Sequence, residues 1–441
     1  MSMQRQMDPS LEQLAGFLAR PMSDSHSVET VVQSILDRVR SEGDRALFDY
    51  EQRFDQARLS SFEVSPQEIQ MAVESLDAQL KTAIERAAGN IVRFHSAQTP
   101  REEMVETEPG VRCWRKSVPI HRVGLYIPGG SAPLFSTVLM LAIPARLAGC
   151  QEITLVTPPR PDGSVHPAIL FAASAAGGVT RILKLGGAQA IAALAYGTES
   201  VTKVDKIFGP GNRYVTAAKQ LVASRTCAID LPAGPSEVMV LADLQSDPSF
   251  CAADLLSQAE HGPDSQTVLV VLSEDLKRGE AFVDQVERCI DVQMADSERA
   301  AMISGSLSHS RAVVVSSEAR MVAVANQYGP EHLIISTDKP ERIADQIYNA
   351  GSLFLGRWSP ESAGDYASGT NHTLPTAGWA VSFSGVSLDS FLKKITFQQL
   401  SFEALESLGP TIMTMAEAES LNAHANAVAI RLAAGTKERI R

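Results

Sequence analysis

Two long stretches of the chain alternate short apolar segments with helix-like segments, and this alternation restricts the possible folds more than any other feature. After about residue 118 the apolar segments are VGLYIPGG, ITLVTPP, ILKLGGAQ and KIFGPGN, and each runs into glycine or proline. After residue 236 the pattern continues with SEVMVLAD, TVLVVLS, RAVVVS, HLIIST and SLFLG. Such alternation is typical of parallel β-sheets covered by helices. The sequence therefore predicts an α/β protein with two Rossmann-like parallel-sheet domains.

The two ends of the chain predict helical segments instead. Apolar residues recur at helical spacing in residues 28–54 and 65–97, with Ser and Asp placed as helix caps. The C-terminal part is also predicted to be helical, with a break at its Gly-Pro dipeptide. The predicted domains are an N-terminal helical segment (1–27), a first α/β domain (28–118 with 236–380), a second, nucleotide-binding α/β domain (119–235) and a C-terminal helical domain (381–441).

Charge and composition exclude several classes of partner. The 441 residues carry 39 Lys+Arg against 51 Asp+Glu, a net charge of -12, so nucleic acid and anionic membranes are not expected partners. The most apolar windows, residues 138–149 and 169–178, are too short to span a bilayer. Five scattered cysteines without a CxxC pattern indicate reduced thiols, and no secretory signal is expected, so we predict a cytoplasmic protein. A single catalytic cysteine stays open as an alternative.

One short stretch, LLSQAEHGPDSQ, suggests a metal site. Gln258 and His261 lie three residues apart on one helical turn, and Gly262-Pro263 would end that helix directly behind them. An amide oxygen and an imidazole nitrogen could then bind one metal ion. Taken alone, the turn fits a structural histidine at a helix end equally well.

Three further segments carry groups suited to chemistry. Glu331 and His332 stand together at the start of a predicted strand, and a carboxylate beside an imidazole can move protons near neutral pH. The other candidates lie in a polar loop and in the C-terminal helix, and they are Glu361, Asp365 and His372, then Glu419 and His424. An exposed ion pair, turn-forming carboxylates and a solvated helix face are the structural alternatives.

Glycine-rich turns after predicted strands suggest a nucleotide site of unusual type. The fingerprint GxGxxG is absent, because Tyr214 stands where the third glycine would fall. PGG at 128–130, GGAQA at 186–190 and GPGN at 209–212 nevertheless place backbone amides and helix starts where phosphates can bind. Tight turns without a ligand are the alternative.

Taken together, these segments resemble the histidinol dehydrogenase family from about residue 30 to 430, in the same order and at the same spacing. The resemblance implies a zinc enzyme that oxidises L-histidinol to L-histidine with two NAD+, through an enzyme-held aldehyde, in a homodimer with shared active sites. The implied zinc ligands are Gln258, His261, Asp365 and His424, the last from the partner subunit.

The resemblance also implies roles for other residues. Glu331 and His332 would transfer protons, with His332 taking the alcohol proton and Glu331 activating water. The implied substrate site comprises Ser236, Gln258, His261, His332, Asp365, His372, Glu419 and His424. The implied NAD+ contacts are Tyr126, Gln189 and Asn212.

Three alternatives stay open. A related zinc- and NAD-dependent dehydrogenase could act on another small amino or sulfonated alcohol, although Ser236 and Glu419 suit a cationic amino group. A zinc hydrolase would need no nucleotide, which the glycine-rich turns oppose. A non-catalytic scaffold would be expected to lack some of the metal and proton-transfer residues, and all of them are present.

Overall fold

The computed structural model describes residues 3–21, 25–129, 132–232, 234–295 and 297–440. The chain divides into two compact units. The first contains Met1–Gln98 and Ile120–Phe391, and the second contains Thr99–Pro119 and Leu392–Arg441. Each unit is therefore assembled from segments that are distant in sequence. The domain boundaries given above stay a prediction.

Strands and helices alternate along most of the first unit. In chain order the strands are β1 (Gln4–Met7), β2 (Met104–Glu108), β3 (Val111–Pro119), β4 (Arg122–Tyr126), β5 (Glu152–Thr157), β6 (Arg181–Lys184), β7 (Lys206–Phe208), β8 (Ala228–Ile229), β9 (Glu237–Asp243), β10 (Gln266–Leu272), β11 (Arg311–Val315), β12 (His332–Ile335), β13 (Ser352–Leu355) and β14 (Leu392–Leu400). In chain order the helices are α1 (Leu11–Phe17), α2 (Ser25–Glu42), α3 (Asp44–Phe54), α4 (Pro66–Ser75), α5 (Ala78–Ser96), α6 (Phe135–Ala148), α7 (Pro167–Ala176), α8 (Gly187–Tyr196), α9 (Arg213–Ala223), α10 (Pro248–Ala259), α11 (Leu276–Met294), α12 (Ala300–Leu307), α13 (Glu318–Tyr328), α14 (Pro340–Ala344), α15 (Glu361–Tyr366), α16 (Phe402–Ala418) and α17 (Asn422–Ile440).

The smaller parallel sheet of the first unit has the strand order β6-β5-β4-β7-β8. All of its neighbouring strands are parallel. The order reverses at β4, which pairs with β5 on one side and with β7 on the other. In open parallel sheets, ligands usually bind beyond the carboxyl ends of the strands at such a reversal. Here that place lies between Tyr126 and Phe208, the last residues of β4 and β7.

The larger parallel sheet has the order β1-β11-β10-β9-β12-β13. Val238 and Val240 of β9 pack into the core on one face, while Met239 and Leu241 pack into the core on the other. Burial on both faces explains why the central strands read as continuous apolar runs. The two parallel sheets confirm the predicted α/β class.

The predicted N-terminal helices are also confirmed. Residues 28–54 lie in α2 and α3 except for Gly43, and residues 65–97 lie largely in α4 and α5. The hydroxyl of Ser65 accepts a hydrogen bond from the N–H of Glu68, and the carboxylate of Asp77 accepts two from the first turn of α5. These side chains satisfy helix N–H groups that lack partners within the helix.

The second unit contains a three-stranded antiparallel sheet, β14-β3-β2, and the helices α16 and α17. Its helices confirm the helical C-terminal segment, but β14 was predicted as helix, and that part of the prediction is wrong. The predicted break at Gly409-Pro410 is also wrong, because α16 continues through Pro410 and ends at Ala418. A Cβ at Gly409 would lie 3.1 Å from atoms of Val428 and Leu432, so this glycine permits close packing of α16 on α17.

Helices of the kind that could cross a membrane are absent from the described residues, since none is both long enough and apolar enough. The apolar windows noted in the sequence fall mainly in α6 and α7, which have 14 and 10 residues. Nearly all of the side chains in these two helices are buried in the core of the first unit. Their apolar character therefore reflects packing inside the protein.

Candidate active site

The C-terminal turn of α10 contains Gln258 and His261. The helix ends at Ala259, and the N–H of His261 donates a hydrogen bond of 3.2 Å to the carbonyl of Gln258. Gln258 is fully buried, and neither its amide oxygen nor its amide nitrogen has a hydrogen-bond partner among the described residues. A buried amide without partners is unfavourable unless a ligand satisfies it. The side chain of Gln258 is therefore available to a ligand.

Helix α15 brings two carboxylates, Glu361 and Asp365, to the same place. They are four residues apart and thus share one helix face, and α15 packs against α10. The ligand atoms of His261, Glu361 and Asp365 all lie within 4.8 Å of one another. Imidazole and carboxylate groups gathered this closely can hold a divalent cation such as zinc. Glu361 is absent from the predicted ligand set, although its spacing from Asp365 was readable in ESAGD.

Glu331 and His332 lie at the amino end of β12, and each is only 4% exposed. Nδ1 of His332 lies 3.7 Å from Oε2 of Glu331 and 3.8 Å from Oε1 of Glu361. Nε2 of His332 lies 3.5 Å from Oδ1 of Asp365. The predicted proton-transfer pair therefore meets the candidate metal ligands through one imidazole that three carboxylates surround.

Burial and charge shift the pKa values of these groups in opposite directions. Desolvation would lower the pKa of His332, but the surrounding carboxylates, Glu361 first, raise it to about 10. Desolvation raises the pKa of Glu331 to about 8 and that of Glu361 to about 8, against the opposing effect of His332. Burial would also raise the pKa of Asp365, but the neighbouring His332 holds it below its usual range. A cation bound among these carboxylates would counter their effect on His332, so metal binding and proton transfer are electrostatically coupled here.

His372 is held by contacts at both of its ring nitrogens. Nδ1 lies 2.9 Å from the backbone carbonyl oxygen of Asp365, and Nε2 lies 3.1 Å from the hydroxyl of Thr137. Because a carbonyl oxygen can only accept, Nδ1 carries the proton and Nε2 accepts from Thr137. Burial lowers the pKa of His372, which favours this neutral form. In this structure His372 therefore fixes the backbone beside Asp365, and its predicted contact with substrate stays a prediction.

A cavity of about 150 Å³ joins these groups to a glycine-rich loop of the smaller sheet. Its walls include side chains from the cluster described above and from the turn before β9, and these are Ser236, His261, Glu331, His332, Asp365 and His372. Gly209–Gly211, which follow β7, line the same cavity. The cavity therefore lies at the carboxyl end of β7 and at the amino ends of β9 and β12.

A buried ion pair holds the Gly209 loop in place. Nζ of Lys219 donates to the carbonyl oxygen of Gly209 at 2.7 Å, and the N–H of Gly209 donates to Asp230 at 2.7 Å. Lys219 and Asp230 are themselves 2.6 Å apart and almost fully buried. The φ angle of Gly209 is +119°, and a Cβ there would lie 2.1 Å from the carbonyl oxygen of Tyr126. The loop thus requires glycine at this position.

We expect Gly209→Ala to destabilise the protein by at least about 2 kcal/mol, because the positive φ and the clash with Tyr126 add to each other. Denaturant unfolding would measure the change. Gly89→Ala is the matched control, since Gly89 lies inside α5 with no atom within 4 Å of an added Cβ, and alanine favours helices. Equal stability of the two variants would contradict the requirement for glycine at position 209.

Two of the positions predicted to contact NAD+ lie near the start of α8. The hydroxyl of Tyr126 accepts a hydrogen bond of 3.2 Å from the N–H of Gly187. The side-chain nitrogen of Gln189 donates to the buried carboxylate of Glu51 at 3.0 Å, while the side-chain oxygen of Gln189 has no partner among the described residues. Glu51 thus orients the amide so that an acceptor is left for a ligand. Sequence analysis did not identify Glu51, which lies in an amphipathic helix without a motif.

The third predicted position, Asn212, caps α9. Its side-chain oxygen accepts hydrogen bonds from the N–H groups of Tyr214 and Val215 at 3.0 and 3.1 Å. Asn212 is exposed and adjoins the loop that lines the cavity. The predicted PGG turn is described only up to Gly129, because Gly130 lies outside the described residues.

The remaining predicted residues belong to the second unit. Glu419 follows α16 as its C-cap, and His424 lies in the first turn of α17. Both side chains are exposed. The first unit thus contains three of the four predicted zinc ligands, and the fourth, His424, lies on a surface helix of the second unit.

All five cysteines are free, as the sequence analysis predicted. Burial raises the pKa of Cys150 and of Cys251 to about 12 and that of Cys227 to about 11. Cys113 and Cys289 are the other two. No cysteine lines the cavity at His332. The alternative of a catalytic cysteine therefore receives no support.

The sequence and the structure both match known proteins over nearly their full length. A family model described as histidinol dehydrogenase matches residues 18–432. A histidinol dehydrogenase from Bacteroides thetaiotaomicron is 54% identical over 424 residues, covering 96% of this chain and 97% of that protein. One from Salmonella typhimurium is 52% identical over 426 residues, covering 96% of each. A crystal structure of histidinol dehydrogenase from Elizabethkingia anophelis matches with a TM-score of 0.94 and 48% identity, covering 98% of this chain and 99% of that one.

Proposed function

This chain belongs to the histidinol dehydrogenase family, and we propose that it oxidises L-histidinol to L-histidine through histidinaldehyde, with two NAD+ and a bound zinc ion. The reaction would complete histidine biosynthesis. The observation that carries this proposal is the buried cluster of His332 with Glu331, Glu361 and Asp365 on a cavity that also meets the Gly209 loop. The cluster offers proton transfer, and the loop belongs to a sheet edge suited to a nucleotide.

The side chains of the first unit fit a zinc ion. Gln258 has an amide without partners, and His261 and Asp365 have ligand atoms within 4.8 Å of each other. One amide, imidazoles and a carboxylate suit zinc when positions are left open for substrate. We propose Gln258, His261 and Asp365 as ligands, together with His424 from the other copy of the chain in a homodimer. Bound zinc would orient the substrate through its imidazole and amino groups.

His332 would act as the proton acceptor in both oxidations. In the first, Nε2 of His332 takes the hydroxyl proton of histidinol as a hydride leaves the adjacent carbon. Glu331 then takes a proton from water, whose oxygen adds to the aldehyde carbon to give a hydrate. In the second oxidation, His332 takes a proton from the hydrate and a second hydride leaves, which produces the carboxylate. Burial of both groups excludes bulk water and strengthens these proton transfers.

The smaller sheet fits NAD+, which would accept one hydride in each oxidation. The unpartnered oxygen of Gln189 lies beside Gly187 at the start of α8, and helix starts favour phosphate groups. Tyr126 and Asn212 are the other proposed contacts. Their present hydrogen bonds to backbone N–H groups keep them at the ends of β4 and α9.

Residues around the cavity would recognise the rest of the substrate. Ser236 lines the cavity, and Glu419 of the second unit is proposed to bind the cationic amino group of histidinol. His372 is proposed to support the substrate from the wall beside Asp365. The free cysteines support a proposed location in the reducing cytoplasm.

The direct test supplies purified protein with L-histidinol and NAD+. We expect about two NADH for each histidinol consumed, because the alcohol loses four electrons in becoming a carboxylate. Chelation of the metal should abolish the reaction, and added zinc should restore it. Absorbance of NADH and chromatography of the product provide the measurements. One NADH per substrate would contradict the four-electron reaction, and activity only with another small alcohol would favour the related dehydrogenase.

A further inference from the structure

Glu361 is a buried carboxylate for which the proposed reaction so far has no task. The side chain is 1% exposed, and neither of its oxygens has a hydrogen-bond partner among the described residues. Buried carboxylates are normally paired, because removing a charge from water is costly. The position of Glu361 therefore points to a partner that the side chain meets within the site.

His332 is the nearest such partner. Oε1 of Glu361 lies 3.8 Å from Nδ1 of His332, which is longer than a hydrogen bond. A side-chain shift of about half an ångström would close that contact, and catalytic hydrogen bonds are often long before substrate binds. Phe354 lies beside the same imidazole, with ring centroids 5.9 Å apart. Glu361 and Phe354 thus approach the imidazole of His332 from α15 and from β13.

Glu331 is less suited to hold the imidazole, although it lies at a similar distance. Its Oε2 already accepts a hydrogen bond of 2.9 Å from the N–H of Glu237. In the proposed reaction Glu331 must also exchange a proton with water. Glu361 has neither commitment, so its oxygens are free to accept a proton-bearing Nδ1.

We propose that Glu361 is a positioning residue that accepts the N–H at Nδ1 of His332, so that Nε2 is the atom that receives the proton from substrate. Nε2 faces Asp365 at 3.5 Å, on the side of the proposed metal. A base whose second nitrogen is held by a carboxylate keeps one tautomer and one ring orientation. This inference rests on the proposed function, because it assigns a role within that reaction.

The test begins with Glu361→Gln, which keeps the size of the side chain. We expect kcat for histidinol to fall about ten- to a hundredfold, the usual scale for groups that orient a reactive histidine or metal ligand. KM and the zinc content should change little. Glu361→Asp, which keeps the charge, should recover part of kcat. Glu12→Gln, a matched change in the exposed first turn of α1, should have wild-type kcat.

Combining the change with His332→Asn separates positioning from other roles. If Glu361 acts through His332, Glu361→Gln should have almost no further effect in the His332→Asn background, since coupled groups are non-additive. A full further loss in that background would overturn the inference, as would loss of zinc from Glu361→Gln, which would identify a metal ligand. An unchanged kcat in Glu361→Gln would also overturn it. If His332→Asn itself kept full activity, the proposed function would fail instead.

Discussion

Replacing His332 with Asn is expected to lower kcat for histidinol oxidation by about a hundredfold or more, the usual effect of losing a positioned acid–base group. Asparagine keeps a polar side chain of similar reach but cannot accept the hydroxyl proton. The structure should survive, because the backbone pairing of β12 with β9 and β13 does not depend on the imidazole. Steady-state kinetics at saturating histidinol and NAD+ would measure the loss.

Two controls give that result its meaning. Zinc content and the unfolding midpoint of His332→Asn should match those of the wild type, which would exclude a collapse of the site. Glu331→Gln should reduce overall turnover similarly, because water activation fails, while the first hydride transfer to histidinol is less affected. A His332→Asn enzyme with wild-type kcat would refute the role of His332 as base.

The architecture explains why this site was hard to locate from fold rules alone. Ligands in open parallel sheets usually lie beyond the carboxyl ends of strands, and the Gly209 loop after β7 obeys that rule. Ser236 and His332 stand instead at the amino ends of β9 and β12. The cavity therefore combines opposite edges of two parallel sheets, and no strand pattern in the sequence announces that arrangement.

Local patterns predicted those parts of the fold whose burial is local. Strands such as β9 and β10 are buried on both faces, so their apolar runs are visible in the sequence. β1 and β14 lack such runs, and pairing with distant strands decides their structure. Gln4 pairs with Arg311, and all nine residues of β14 pair with β3. Backbone hydrogen bonds to a distant segment leave no periodic signal in a polar sequence.

For the site, the sequence showed the chemistry of separate segments but not their convergence. The motif around Gln258 and His261 was readable as one helical turn. Glu361 was visible only as one polar residue in a loop, since its proximity to His332 depends on how α15 packs. The Lys219 and Asp230 pair that holds Gly209 left no signal, because both residues lie in ordinary helix and turn sequences.

The second large effect is expected from mixing two inactive variants. His424→Asn should retain zinc poorly and have low activity, and His332→Asn should be inactive for want of its base. If each active site takes His424 from the other copy, a heterodimer of the two variants contains one site with both defects and one site with neither. Co-expression with two different affinity tags, followed by tandem purification, would yield that heterodimer.

Purified heterodimers are then expected to recover about half of the wild-type activity per dimer, because one of the two symmetric sites is intact. They should also keep about half of the wild-type zinc, which gives a measurement independent of turnover. If His424 served its own copy, both sites of the heterodimer would be defective, and activity would stay at the level of the parents. The matched control pairs His332→Asn with Glu331→Gln, since both residues belong to the same unit and lie 3.7 Å apart. In that heterodimer each site carries one defect, so no recovery is expected, and recovery there would show that mixing itself, rather than shared sites, restores activity.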